Sequence, residues 1–165
     1  MSVDRTVAVT GANGYIGSHV VKILLDRGYR VRAGAREPHN MERIGHLEKM
    51  GSEYPGQLEI VSTDVLDVDD VRKLVSGCSD LIHAAATVMI RSSDPQSKIV
   101  NPSLIGTQNV ISALKETPSV MTVVHTSSTA AIRPMRWKNG VTLTTDTWAD
   151  DATIENNPYG LAKVL

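Results

Sequence analysis

The sequence predicts an α/β fold built on a doubly wound parallel sheet, and three observations carry that prediction. Short apolar runs rich in β-branched residues alternate with segments of helical period along residues 6–128. The runs are apolar throughout rather than polar at every second position, which marks strands covered on both faces, and helices between them make the strands parallel. A turn carrying three glycines joins the first run to the first helical segment.

The first strand is read over 6–11, TVAVTG. In the helix that follows, 15–28, Ile16, Val20, Ile23 and Leu24 are spaced to share one face, and Gly28 stops it. A second strand over 29–35 (YRVRAGA) precedes a helix over 40–51 and a third strand over 58–63 (LEIVST). A helix over 67–77, a fourth strand over 80–86 (DLIHAAA), a long helix over 96–116 and a fifth strand over 120–128 (VMTVVHTSS) complete the alternation. Right-handed crossovers between such strands give the doubly wound arrangement. From 129 to 157 the pattern dissolves into a polar loop, a length that in compact domains is usually functional or mobile. Asn157 then suits an N-cap and Pro158 the first helical position, so a helix begins at 158 and runs to residue 165. No internal repeat or linker divides the chain, and one domain over 1–165 is expected.

Composition narrows the function. The length allows one domain burying roughly 70% of its unfolded surface. Hydrophobic residues at 41% and charged residues at 21% are ordinary for a globular chain in water. A net charge of −1 gives no electrostatic ground for a nucleic-acid or anionic-membrane partner. The opening MSVDRTV carries charges where a secretory leader needs an apolar core, and no apolar run approaches membrane-spanning length. With Cys78 the only cysteine, no internal disulfide can form, and a reducing, cytoplasmic compartment is expected. The five histidines show no metal-ligand spacing, and no metal site is expected.

The stretch VTGANGYIG places Gly11, Gly14 and Gly17 between a strand and an amphipathic helix. Without β-carbons, Gly11 permits a tight turn, Gly14 lets backbone approach a pyrophosphate, and Gly17 lets helix and strand pack closely. The helix start offers N–H donors and a partial positive charge to the phosphates. This is the setting of a Rossmann-type dinucleotide site, although the spacing is G-x-x-G-x-x-G rather than G-x-G-x-x-G. Just beyond the second strand, an acid reads the adenine ribose 2′-hydroxyl and an arginine a 2′-phosphate; GAREP offers both, as Arg36 and Glu37. At the chain's end, Tyr159 and Lys163 stand four residues apart, which a helix turns to one face.

These motifs, with PYGLAK and HTSS, make the chain resemble the extended short-chain dehydrogenase/reductase (NAD-dependent epimerase/dehydratase) superfamily, most nearly its dihydroflavonol reductase-like and 3β-hydroxysteroid dehydrogenase-like members. The resemblance covers essentially the whole chain. It implies an oxidoreductase that interconverts an alcohol and a carbonyl on a small molecule. Tyr159 would exchange the proton, Lys163 would favour the phenolate and bind the nicotinamide ribose, and Ser128 would hydrogen-bond the reacting oxygen, with Ser127 as its competitor. Arg36 and Arg43 match basic positions beside a 2′-phosphate, which favours NADP over NAD. Tyr15, Ile16 and Val65 join the implied cofactor contacts. Asp64 would accept from the adenine amino group, or else simply end a strand and cap the next helix. Ala84, Ala85 and Ala86 keep the fourth strand's end free of bulk beside the cofactor. Asn101 and Thr107 either line the same cleft or serve helix capping and packing. The stretch from Asp146 through Trp148 to Asp150 is of a kind found in reductases of the dihydroflavonol type, and it ranks reductase above epimerase.

Members of that superfamily run to about twice this length. The resemblance therefore implies a sheet cut before its last strand and before a C-terminal substrate domain. The expectation for these residues alone is a nucleotide-binding module of little turnover, with Tyr159 and Lys163 on a fraying helix end and an exposed sheet edge open to self-association. Two other functions stay open: an NAD-dependent sugar-nucleotide epimerase or dehydratase, and a non-catalytic NADP(H)-sensing module.

Overall fold

A computed structural model describes residues 5–165; the first four residues, on which part of the leader reading rests, lie outside it. The chain forms two compact units. One runs to Ala85 and takes up Gln108–Thr126; the other comprises Ala86–Thr107 and Ser127–Leu165.

The first unit holds a five-stranded sheet of β1 (Thr6–Thr10), β2 (Arg30–Ala35), β3 (Leu58–Ser62), β4 (Asp80–His83) and β5 (Thr122–His125). Its order is β3-β2-β1-β4-β5, and every pairing is parallel. The chain thus starts in the middle, winds outward through β2 and β3, and returns to build β4 and β5 on the other side. The side-chain alternation of β1 explains why both faces are covered. Val7 and Val9 point to one face, packing with Val21 and Leu25 of α1 (Tyr15–Asp26) and Leu47 of α2 (Met41–Glu53). Ala8 points to the other, with Val71, Leu74 and Val75 of α3 (Val68–Val75) and Val110 and Ala113 of α4 (Asn101–Lys115). Arg32 ties the sheet to α3: its Nη1 donates to the carbonyls of Leu74 at 3.2 Å and Ser76 at 2.5 Å, a cation on the negative end of a helix.

Several boundaries differ from the sequence reading. The buried stripe of α1 is Gly17, Val21 and Leu25, with Val20 and Leu24 beside it; Ile16 and Ile23 are more than half exposed or at that limit, at 57% and 50%. The cause is Gly17, which must face the backbone of the Gly11–Ala12 turn because only a residue without a β-carbon fits there. β4 stops at His83 rather than at 86, and β5 at His125 rather than at 128. The two edges also differ. On β3, Leu58 and Ile60 pack against the core, whereas all four residues of β5 are exposed.

The second unit contains a π-helical turn over Gln96–Val100, the first residues of α4, α5 (Thr129–Ile132) and α6 (Pro158–Val164). The long helix expected from 96 therefore begins as a π turn, and the segment 129–157 opens with a short helix. α6 packs against both α5 and the π turn. That packing supports a seven-residue helix that would be marginal alone.

Candidate functional site

In the first unit the glycine turn is set by backbone approaching backbone. Gly11 has φ +63°, in the left-handed region, and a β-carbon on it would stand 2.8 Å from the Ala85 Cα. A β-carbon on Gly17 would stand 2.1 Å from the Gly11 carbonyl oxygen. The turn is closed by the Gly14 N–H donating to that same oxygen at 3.0 Å, and by the Ala12 N–H reaching Gly34 O at 3.1 Å. Gly14 is the N-cap of α1, extended at φ −78° and ψ 169°, with no side-chain cap and no acidic residue in the first turn. A β-carbon here would meet only the Gly11 oxygen, at 3.3 Å. First-turn N–H groups that no side chain caps can hold an anion, and a glycine at the cap leaves room for one, so the residues present fit a dinucleotide pyrophosphate. Tyr15 stands out from the turn at 85% exposure, its ring 4.9 Å from that of His19. Ile16 is exposed beside it.

At the end of β2 the two candidate ribose readers behave differently. The Glu37 carboxylate is engaged on both oxygens, by Arg43 Nη1 at 2.9 Å and by Asn40 Nδ2 at 3.1 Å. Asn40 is at the same time the N-cap of α2, its Oδ1 accepting from the Glu42 N–H. Arg36 is exposed, and among the described residues no hydrogen bond or ion pair holds it. The acid is thus occupied and the arginine available.

Asp64 is half-buried and accepts from the Leu66 N–H at 3.0 Å in a local turn. The cap of α3 is Asp67, which accepts from the Asp69 N–H, so the capping alternative considered for Asp64 is assigned to its neighbour. Val65 is fixed by its carbonyl, which accepts from Asn109 Nδ2 at 3.0 Å. Ala84 and Ala85 lie past the end of β4, their N–H groups turned to the Thr10 hydroxyl rather than to a strand. Thr10 and its partner His83 were absent from the sequence reading. No local signal could expose them, since the pair is 73 positions apart.

The second unit holds the remaining candidates. Ala86 is exposed there. Ser128 is not a strand residue but the N-cap of α5, its Oγ accepting from the Ala130 N–H at 3.1 Å. Its hydroxyl proton remains available to donate, and the side chain is half-buried, whereas Ser127 is exposed. Tyr159 and Lys163 share one face of α6, with Lys163 Nζ 5.9 Å from the Tyr159 ring centroid. Asn157 caps that helix through Oδ1, accepting from the Gly160 N–H at 2.9 Å. Asn101 takes a hydrogen bond from Gln96, and Thr107 donates to Ser103 O at 2.9 Å. Both thus have local roles.

The loop preceding α6 is anchored at Ala149 and Asp151. The Ala149 N–H donates to Ala131 O at 2.8 Å, and the Asp151 carboxylate accepts from the Met135 and Arg136 N–H groups at 2.7 and 2.9 Å. Burial alone would raise the Asp151 carboxyl, but these two N–H groups and the Arg136 charge hold it below its ordinary value. Asp150 pairs with Arg136 at 2.8 Å, and Trp148 is 54% exposed. Among the described residues no cluster of metal-ligating side chains occurs, and no helix is long and apolar enough to cross a membrane.

Residues 7–165 match the model of the NAD dependent epimerase/dehydratase family. The chain is 35% identical to a cinnamoyl-CoA reductase of Medicago truncatula over 172 residues, spanning 99% of this chain and 51% of that protein. It is 31% identical to an anthocyanidin reductase of Arabidopsis thaliana, spanning 98% of this chain and 49% of that protein. Among solved structures, the yeast methylglyoxal/isovaleraldehyde reductase complexed with NADPH superposes with a TM-score of 0.79 at 28% identity, over 96% of this chain and 49% of that one. The chain thus spans about half the length of the curated relatives it matches.

Proposed function

The chain belongs to the NAD dependent epimerase/dehydratase family, and on that premise we propose that it serves an NADP(H)-dependent oxidoreductase interconverting an alcohol and a carbonyl. The observation that carries the cofactor choice is the pair at the end of β2: Glu37 is held on both carboxylate oxygens, while Arg36 stays exposed. A ribose 2′-hydroxyl needs a free acceptor, and a 2′-phosphate needs a free guanidinium. Gly11, Gly14 and Gly17, with the N–H groups at Tyr15 and Ile16, would hold the pyrophosphate. Arg36 would take the 2′-phosphate, Arg43 could join it only by giving up its ion pair with Glu37, and Asp64 with Val65 would take the adenine. Ala84, Ala85 and Ala86 leave space beside the cofactor.

A nicotinamide bound at this site would supply or accept the hydride. The proton is the work of this chain's own residues. Tyr159 Oη gives its proton to the carbonyl oxygen during reduction and takes it back during oxidation. Lys163, one turn along with its Nζ 5.9 Å from the Tyr159 ring centroid, would bind the nicotinamide ribose. Ser128, whose oxygen already accepts from Ala130, donates its hydroxyl proton toward the reacting oxygen and stabilises charge there. The reductases among the relatives favour a small-molecule carbonyl as substrate.

Titration of the chain with NADPH and NADH tests the cofactor. NADPH is expected to bind at least about tenfold more tightly, roughly 1.4 kcal/mol, and Arg36→Ala is expected to close that gap. Equal affinities, or a preference for NADH, would remove the NADP reading and favour the epimerase alternative. NADPH-dependent reduction of aldehydes, lost in Tyr159→Phe, tests the proton step; undiminished turnover in that variant would end it.

A further inference from the structure

The end of β1 carries a buried polar network that the proposed chemistry does not use. Thr10 is fully buried and His83 is 4% exposed. The Thr10 Oγ1 lies 3.1 Å from the Ala84 nitrogen, 3.1 Å from the Ala85 nitrogen and 2.7 Å from His83 Nδ1. Two backbone N–H groups can only donate, so they fill both lone pairs of the hydroxyl. The one remaining direction is its own O–H, which therefore donates to His83 Nδ1. That nitrogen carries no proton, and His83 is the Nε2–H tautomer. The imidazole thus orients a hydroxyl, and the hydroxyl orients two consecutive amides just beyond β4.

Those amides belong to the segment on which the glycine turn sits. Ala85 is the residue whose Cα would stand 2.8 Å from a β-carbon on Gly11, and Gly11 directly follows Thr10. If the hydroxyl turns away from His83, its proton replaces the lone pair that faces Ala84 or Ala85, and the floor beneath Gly11 loses one of its two anchors. We propose that His83 is a positioning residue for dinucleotide binding: through Nδ1 it fixes the Thr10 hydroxyl, which locks the Ala84–Ala85 backbone against the first glycine of the turn. The proposal rests on the reading of that turn as a dinucleotide site.

His83→Asn keeps an acceptor close to the position of Nδ1, whereas His83→Leu fills similar space without one. Thr10→Ser keeps the hydroxyl, and Thr10→Val removes it. The expected result is that His83→Leu and Thr10→Val each weaken NADPH binding about tenfold or more, while His83→Asn and Thr10→Ser stay within about threefold of the unsubstituted chain. Amide hydrogen exchange without ligand is the second measurement. Ala84 and Ala85 should lose protection selectively in the first two variants and keep it in the other two. Nitrogen chemical shifts should show His83 protonated on Nε2 alone.

If the unsubstituted chain binds NADPH and His83→Leu, folded, binds it equally well, the proposal is overturned. It is also overturned by a proton on Nδ1, or by Ala84 and Ala85 exchange that does not respond to the four variants. Failure of the unsubstituted chain to bind either NADPH or NADH would instead overturn the dinucleotide reading, and with it the binding role. The exchange and shift measurements would then still decide whether His83 positions that backbone.

Discussion

Two helices of this chain start at a turn beside candidate chemistry, and their first turns are handled in opposite ways. α6 begins with Asn157, whose Oδ1 fills the orphan donor of Gly160, and with Pro158, which has no N–H to satisfy. α1 begins with Gly14, which has no side chain to offer and is followed by no acid. In the first case the chain satisfies its own donors; in the second it leaves them for something else. A helix start with its own cap is a device for stability, and one left without a cap keeps its donors for the pyrophosphate proposed above. The difference also marks how each turn is held. Backbone contacts too close for any β-carbon hold the α1 start, whereas a replaceable side chain holds the α6 start.

Breaking the backbone contact has the largest expected effect. Gly17→Ala puts a methyl 2.1 Å from the Gly11 carbonyl, and because both are backbone-borne, no rotamer relieves it. We expect a loss of about 3 kcal/mol, read as a fall in thermal midpoint of roughly 10 °C, with NADPH binding abolished. A variant that melts like the parent would show that the turn yields more easily than its geometry implies.

Gly14→Asp sharpens the comparison by giving α1 the cap it lacks. The site's extended backbone accepts an ordinary residue, and the nearest contact of the new β-carbon is 3.3 Å. Stability should be unchanged or rise by a few tenths of a kcal/mol. Affinity for NADPH should fall about a hundredfold or more, because a carboxylate now occupies the anion's place and repels it. Calorimetric binding beside a melting curve reads both. If stability and affinity moved together, the uncapped start would be a structural accident.

How far the sequence reveals these features follows from the same distinction. The glycine turn was legible because a missing β-carbon is written in the residue itself, and the five strands because continuous apolar runs admit few other readings. The face of α1 was not, since its apolar residues surround most of the helix and only the demand that Gly17 face the Gly11–Ala12 backbone chooses Val21 and Leu25 over Ile16 and Ile23. The early end of β4 was hidden because a side chain 74 and 75 positions away captures the next two amides. Ser128, Tyr159 and Lys163 could be named by resemblance. Ser128 as the cap of α5, and the packing that supports α6, depend on contacts between separated segments that no local pattern encodes.

Asn157→Ala is expected to cost about 1 kcal/mol, the usual worth of a lost cap. The effect should be local: amides of α6 should exchange faster, while those of α1 stay unchanged. Exchange spread evenly over both units would mean that the cap stabilises more than its own helix.

The smallest effect belongs to Asp151, which organises the loop before α6 through the Met135 and Arg136 amides. Its carboxyl is held below the ordinary value in the folded chain, so the unfolded chain takes up the proton first as pH falls. The contribution to stability is therefore complete above the unfolded value, about 3.9, and is lost as pH drops through the lower folded value. Carboxyl chemical shifts against pH should give a midpoint below that of a model aspartate, and the Arg136 amide shift should follow the same curve. In Asp151→Asn the Arg136 amide should no longer titrate. A midpoint at or above the ordinary value would mean that burial outweighs the two N–H donors, and that the loop is held by the Ala149–Ala131 hydrogen bond instead.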